Sequence, residues 1–193
     1  MRPSLPEERE QPQRNSRQTD RALTRDSDAP LTTEWAGKYV SIKRRGRWEY
    51  ASRTGSTNAV VILAEHNGRV ILVEQYRVPV GARCLELPAG LVGDEDPNAT
   101  VEETAVKELE EETGFTATGI ERLGDFHSSP GMLAESFTLV RAQGVSRCGD
   151  GSGNEDEEID VHLVAREDIQ VFVEQRRQAG VAVDVKLLMF LNL

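Results

Sequence analysis

The chain has 193 residues, 33 acidic against 23 basic side chains, a net charge of −10 and two cysteines. That length suits one compact domain with an appendage and allows a sizeable core. The acidity argues against a phosphate-backbone binder, no apolar run is long enough to span a membrane, and the polar N-terminus has no signal-peptide core; a cytoplasmic protein without nucleic-acid or membrane partners is expected.

Residues 1 to about 30 are rich in Arg, Glu, Gln, Asp, Ser and Pro. So few apolar groups cannot offset the entropy of ordering, and the segment reads as a flexible polar arm (1–30). The next region (31–56) holds two expected strands, Lys38–Lys43 and Arg47–Arg53, joined by a turn at Arg44-Arg45-Gly46. Tyr39 and Trp48 lie on them, and strand aromatics are ordinarily core packing. The main domain is expected over 57–193. There Ala59–Ala64 and Val70–Tyr76 flank His66-Asn67-Gly68; Asn-Gly predicts a hairpin and puts His66 at the surface. Arg77 closes the second run, as a surface residue or at the opening of a cleft. Cys84–Leu87 is a short strand running into Pro88-Ala89-Gly90.

Thr100 and Glu103 form a capping-box pair, and Gly114 is a helix stop. In the helix between them Glu108, Glu111 and Glu112 stand at i, i+3 and i+4 and share one face. Val101, Ala105 and Leu109 form the apolar side, Glu112 falls within that arc and Glu108 and Glu111 lie at its edge, while Glu103, Lys107 and Glu110 point to water. Carboxylates turned towards the protein body repel one another and lose hydration. A divalent cation removes both penalties, and hard cations such as Mg²⁺ prefer oxygen ligands. Taken alone, a Glu-rich helix is more often a solvated face.

Further on, Ile120–Phe126 and Phe137–Arg141 read as strands around a turn at His127–Met132. Gly144–Glu158 is a Gly-, Ser- and acid-rich loop whose run Asn154-Glu155-Asp156-Glu157-Glu158 offers candidates for a general base, although composition alone favours a solvated loop. Ile159–Val164 alternates like a half-buried strand and makes His162 structural. Arg166–Gln178 is an amphipathic helix ended by Gly180, and Asp184–Leu193 a last, apolar helix. Cys84 and Cys148 have no metal-type spacing and read as free thiols. This order of elements gives an α/β or α+β class.

Leu87-Pro88-Ala89-Gly90, then a loop, then Lys107-Glu108-Leu109-Glu110-Glu111-Glu112-Thr113-Gly114-Phe115 resembles the Nudix box of the Nudix hydrolases. Lys107 stands where that pattern has Arg, Ala99 where it has an earlier Glu, and the loop is three residues longer, with Asp94, Glu95 or Asp96 available in place of the missing Glu. From Trp35 onward the chain resembles the ADP-ribose pyrophosphatase branch. The carriers are Tyr39, Trp48-Glu49 with Arg53, Glu74 to Arg77, Ser129-Pro130-Gly131 with Glu135, and the acids before Val161-His162.

The resemblance implies the Nudix fold, a mixed sheet sandwiched between helices, with a small N-terminal antiparallel β domain swapped in a homodimer. It implies Mg²⁺, with Mn²⁺ as the alternative, on Glu108, Glu111, Glu112, Glu157 and the Ala89 carbonyl. It makes Glu155 the general base, with Glu158 open to that role or to Glu157's as metal ligand. Tyr39 and Trp48 would stack on adenine, Glu49 accept from its edge, and Arg53 and Arg77 hold the diphosphate. Leu91, Ser129, Pro130, Gly131 and Glu135 complete the substrate-binding set. The implied reaction is hydrolysis of ADP-ribose, a nucleoside diphosphate sugar, to AMP and ribose 5-phosphate. GDP-mannose or another nucleotide sugar is the alternative substrate, and a non-catalytic ADP-ribose sensor the alternative of another class.

Overall fold

Apolar runs that alternate between two buried faces build this chain into sheets covered by helices on both sides. The structure, a computed structural model, describes residues 26–55, 58–94, 96–151 and 158–190, with backbone alone at 189 and 190. Residues 1–25 of the expected arm, and Glu155 and Glu157, lie outside the described residues. The elements in order are β1 (Leu31–Ala36), β2 (Val40–Arg45), β3 (Trp48–Arg53), β4 (Asn58–Leu63), β5 (Glu65–His66), β6 (Arg69–Arg77), β7 (Ala82–Glu86), β8 (Ala89–Leu91), α1 (Val101–Thr113), β9 (Phe115–Thr116), β10 (Gly119–Phe126), β11 (Ser136–Gln143), β12 (Ser146–Arg147), β13 (Ile159–Ala165), a 3-10 turn at Arg166–Asp168, α2 (Ile169–Gln178), β14 (Ala182–Val183) and α3 (Val185–Phe190).

One mixed sheet has the order β10-β11-β4-β8, with β4 and β11 parallel. The other runs β13-β6-β7-β14, with β5 also paired to β6. On β4, Val60 and Ile62 join Val101, Ala105 and Leu109 of α1, while Val61 and Leu63 join Ile169 and Val173 of α2 and Leu187 of α3. The sheets therefore lie between α1 on one face and α2 and α3 on the other, the expected mixed-sheet sandwich. Each such Leu or Ile, fully buried, contributes roughly 1.5–3 kcal/mol.

The hairpin expected between Ala59–Ala64 and Val70–Tyr76 is corrected. The turn is present, with Asn67 and Gly68 at φ 52° and 73°. It closes only the short β5–β6 pairing, Glu65 with Val70 and His66 with Arg69. β4 has crossed to the other sheet, where it pairs with β11 and β8. Both runs are buried on both faces, so neither carries the alternation that would assign it to one sheet. His66 is half-buried and not at the surface: its ring lies 5.2 Å from that of Phe115, and its Nδ1–H donates to the Val145 carbonyl at 2.9 Å.

The N-terminal part is a three-stranded antiparallel sheet, β1-β2-β3, one strand more than expected. It joins the body where Ala51 donates to the Met132 carbonyl (2.8 Å) and accepts from Ala134 N–H (2.9 Å). Asp26, at the end of the expected arm, is buried and ion-paired to Arg47 at 2.9 Å. Tyr39 and Trp48 are 67% and 50% exposed, so neither is core packing in this chain.

A buried acid ties the second sheet together. Glu74 on β6 accepts from Arg83 at 2.9 Å and from both arms of the Arg176 fork at 2.7 and 2.8 Å, with His162 Nε2 3.3 Å away. Burial alone would push its carboxyl up, but the hydrogen bonds from Arg176 and Arg83 outweigh that and hold it below 4.5. His162, 5.1 Å from the Phe172 ring, is structural as expected.

Candidate active site

Helix α1 carries the site, and its ends are fixed as the sequence suggests. Thr100 Oγ1 accepts from Glu103 N–H (3.2 Å), and Glu103 returns the bond to Thr100 N–H (2.9 Å). Gly114 takes the left-handed conformation, φ 72°, and donates to the Glu110 carbonyl. Val101, Ala105 and Leu109 anchor the inner face. Glu112 is buried beside them, while Glu110 and Glu111 are exposed and Glu108 lies between. Glu111 is 3.6 Å from Lys107.

Glu108 and Glu112 face β8, the edge strand. In the β4–β8 register Val60 pairs with Gly90, and Ile62 N–H donates to the Pro88 carbonyl, while Val92 N–H donates to Asn58. Antiparallel alternation then turns the N–H and C=O of Ala89 and Leu91 away from β4, off the sheet edge. Glu112 Oε2 accepts the Ala89 N–H at 3.1 Å. Glu108 lies so close to Gly90 that a Cβ there would stand 1.9 Å from Glu108 Oε1. The Gly is required by close approach, since its φ is not in the left-handed range.

A cleft of about 830 Å³ opens in front of this edge. Glu108, Glu111, Glu112, Ala89 and Leu91 form one wall. Gln75, Arg77 and Glu86, from β6 and β7, form another, and Arg53, Glu135, Lys186 and Ser128 also line it. Arg77 grips Glu86 through two bonds of 2.6 and 2.8 Å. Arg53 donates to Glu135 at 2.5 Å. Cys84, behind Arg77, has its thiol pushed up to about 12 by burial and the neighbouring Glu86, so it is a neutral core group and no nucleophile.

The donor set is all oxygen, carboxylates plus the outward Ala89 carbonyl, which fits a hard divalent cation. Among the described residues no three His, Cys, Asp or Glu side chains are drawn tightly enough together to hold an ion. Of the expected loop acids, Glu158 is described and exposed, directly before β13. Asp94, Asp96 and Ala99 of the longer loop line the cleft.

Of the expected residues, the cleft gathers Arg53, Arg77, Ala89, Leu91, Glu108, Glu111, Glu112 and Glu135. Trp48, Pro130 and Gly131 line a second hollow of about 340 Å³ beside Arg45 and Tyr50. Tyr39 and Glu49 are exposed on the small sheet or its turn, and the Ser129 carbonyl accepts from Met132 and Leu133 to close a turn. The cleft adds Glu86 and Lys186, which the sequence does not single out, and Gln75, which it gives only within the Glu74 to Arg77 segment. For Glu86 a signal existed: an acid inside the apolar run Cys84-Leu85-Glu86-Leu87 requires a partner.

The fold and the acid-bearing helix define a class: the NUDIX domain family model matches residues 55–183, and the chain belongs to the Nudix family. Nudix hydrolases generally use a divalent metal. Among relatives, the chain is 39% identical to the methanol dehydrogenase activator of Bacillus methanolicus and 38% to the ADP-ribose pyrophosphatase of Bacillus subtilis, each over 61% of this chain and 63% of the relative. The chain thus spans less than two thirds of the length of those two proteins. It is 30% identical to the GDP-mannose pyrophosphatase of Cronobacter sakazakii over 68% of this chain and 70% of that protein. A solved structure described as an ADP compounds hydrolase superposes with a TM-score of 0.60 at 22% identity, over 73% of this chain and 80% of the other, a likeness of fold. No helix among the described residues is long and apolar enough to cross a membrane.

Proposed function

We propose that this protein hydrolyses the pyrophosphate bond of ADP-ribose, giving AMP and ribose 5-phosphate, with Mg²⁺ or Mn²⁺. The observation that carries the reading is the meeting of Glu108 and Glu112 with the Ala89–Gly90 edge in a cleft whose other wall holds Arg77. Likeness to the Bacillus subtilis enzyme supports ADP-ribose as substrate. Glu108, Glu111 and Glu112, with the Ala89 carbonyl, would hold the cation; Glu157 would add to that set. Bound there, the cation would neutralise phosphoryl oxygens and acidify a water. Arg53 and Arg77 would orient the diphosphate by planar, charge-assisted bonds. Glu155 or Glu158 would take the proton of the attacking water as the P–O–P bond breaks.

Tyr39 and Trp48, exposed on the small sheet, would stack on adenine, and Glu49 would accept from its edge. Trp48 lines the second hollow and not the main cleft; in a homodimer with swapped N-terminal sheets it would serve the cleft of the other subunit. Leu91, Ser129, Pro130 and Gly131 would border the substrate, in a cytoplasmic setting. The Cronobacter relative supports GDP-mannose as the second reading. The test is turnover of ADP-ribose, GDP-mannose, NADH, a dinucleoside polyphosphate and a nucleoside triphosphate with Mg²⁺. Preference for ADP-ribose is expected; preference for GDP-mannose would move the substrate. Tight ADP-ribose binding with no turnover of any would leave a sensor.

A further inference from the structure

Glu86 sits in the cleft wall with no part in the reaction as just described. Its side chain is 6% exposed, whereas that of Arg77 is 41% exposed. In the β6–β7 register Val73 pairs with Glu86 and Arg77 with Ala82, so Gln75, Arg77 and Glu86 share one face of the hairpin. Arg77 reaches back along that face to meet Glu86 with Nε and Nη2. This grip occupies two of the five guanidinium N–H groups and leaves the others for the cleft. The planar fork also fixes the direction in which those remaining donors point.

Arg77 has a second acid within its field. Glu112, on α1, lines the same cleft as Arg77, and after the Glu86 bonds its negative charge also helps to raise the pKa of Arg77. An arginine between two carboxylates can neutralise either one, and a Glu112 neutralised in this way is a poor ligand for a cation.

We propose that Glu86 is a positioning residue: by holding Arg77 in a bidentate grip it aims the remaining guanidinium edge at the diphosphate and keeps Arg77 from competing with the cation for Glu112. This rests on the proposed reading of the cleft as a cation-dependent pyrophosphatase site. Glu86 touches neither substrate nor cation; it acts through Arg77. Loss of such a supporting group typically costs about 10–100-fold in metal affinity or activity.

The experiment is titration of the protein with Mn²⁺ alone, read by the free-ion electron paramagnetic resonance signal, with ADP-ribose kinetics alongside. Glu86→Gln should weaken Mn²⁺ binding by about 10-fold and raise KM more than it lowers kcat. The double variant Glu86→Gln with Arg77→Gln should recover Mn²⁺ affinity, because the competing cation is gone, but not KM. A role confined to stability would not give that recovery. Unchanged Mn²⁺ affinity and KM in Glu86→Gln, with the wild type binding Mn²⁺ normally, would overturn the inference alone. A wild type that binds no Mn²⁺ would overturn the cleft reading, and the inference with it. If Glu86→Gln does not fold, Glu86→Asp carries the comparison: it keeps the charge and shortens the reach, and wild-type Mn²⁺ affinity and KM in it would equally refute the proposal.

Discussion

Gly90→Ala separates the architecture of the site from the stability of the fold. Gly90 is held in β8 by pairing with Val60, and its φ suits any residue. The added Cβ would stand 1.9 Å from Oε1, 2.0 Å from Cδ and 2.4 Å from Cγ of Glu108. No real contact is that short, so something must move. The strand is tied into its sheet, whereas Glu108 is the far end of a flexible side chain. The carboxylate should therefore swing away from Ala89 and Gly90. Forcing one side chain off its preferred rotamer costs about 0.5–1.5 kcal/mol. At this chain length that is a fall in Tm of only a few degrees, about 2–4 °C per kcal/mol. Displacing a group that stabilises developing charge costs far more in rate, on the order of 10²–10³-fold. The assays are thermal melting, Mn²⁺ titration and ADP-ribose turnover on the same preparation. A near-native melt with rate and Mn²⁺ affinity both lost is the expected result. Unchanged turnover and Mn²⁺ affinity would refute the reasoning, because Glu108 would then work from a position the added methyl does not disturb.

Other substitutions probe neighbouring parts of the account. Glu112→Gln should lose about 10²–10³-fold in turnover with the fold intact, because the amide oxygen can still accept the Ala89 N–H while the ligand charge is gone; wild-type turnover would remove Glu112 from the cation site. Trp48→Ala should raise KM more than it lowers kcat and change stability by no more than about 0.5 kcal/mol, since the ring is half-exposed; an unchanged KM in steady-state kinetics would end its assignment to substrate. Glu74→Gln should destabilise by about 3 kcal/mol in denaturant titration, because it leaves Arg83 and Arg176 facing a neutral group in a buried pocket. The folded pKa of Glu74 lies below its ordinary 4.5, so its ionic contribution is present above pH 4.5 and is lost as the pH falls through the folded value. The variant should therefore lose part of the acid dependence of stability below pH 4.5, and an identical acid profile would count against the ionic role.

Much of the geometry of the candidate site is legible in the sequence because helix α1 carries its own punctuation. Thr100, Glu103 and Gly114 fix both ends, and a 3.6-residue period then sets which acids turn inward. The buried Glu112 follows from its place in the same arc as Val101 and Ala105. The sheet assignment of β4 was not legible, since a correct Asn-Gly turn does not say which strand it pairs when both flanking runs are buried on both faces. β1 has no signature in the sequence because all six of its residues are exposed, which leaves no periodic pattern. The far wall of the cleft was hidden for a different reason. Gln75, Glu86 and Lys186 come from β6, β7 and the start of α3, and only the folded sheets bring them together. Their one local trace is a polar or charged side chain in apolar surroundings, which indicates that a partner exists without naming it. Arg77 shows the consequence: its place at the cleft was anticipated, its grip on Glu86 was not.

The most direct test of the central claim is Mg²⁺-dependent hydrolysis of ADP-ribose with both products identified by chromatography, GDP-mannose run beside it and chelator added at the end. AMP and ribose 5-phosphate in equal amounts, a higher kcat/KM for ADP-ribose than for GDP-mannose, and cessation on chelation are expected. Hydrolysis that continues without the divalent ion, or ADP-ribose left intact while GDP-mannose is cleaved, would contradict that claim.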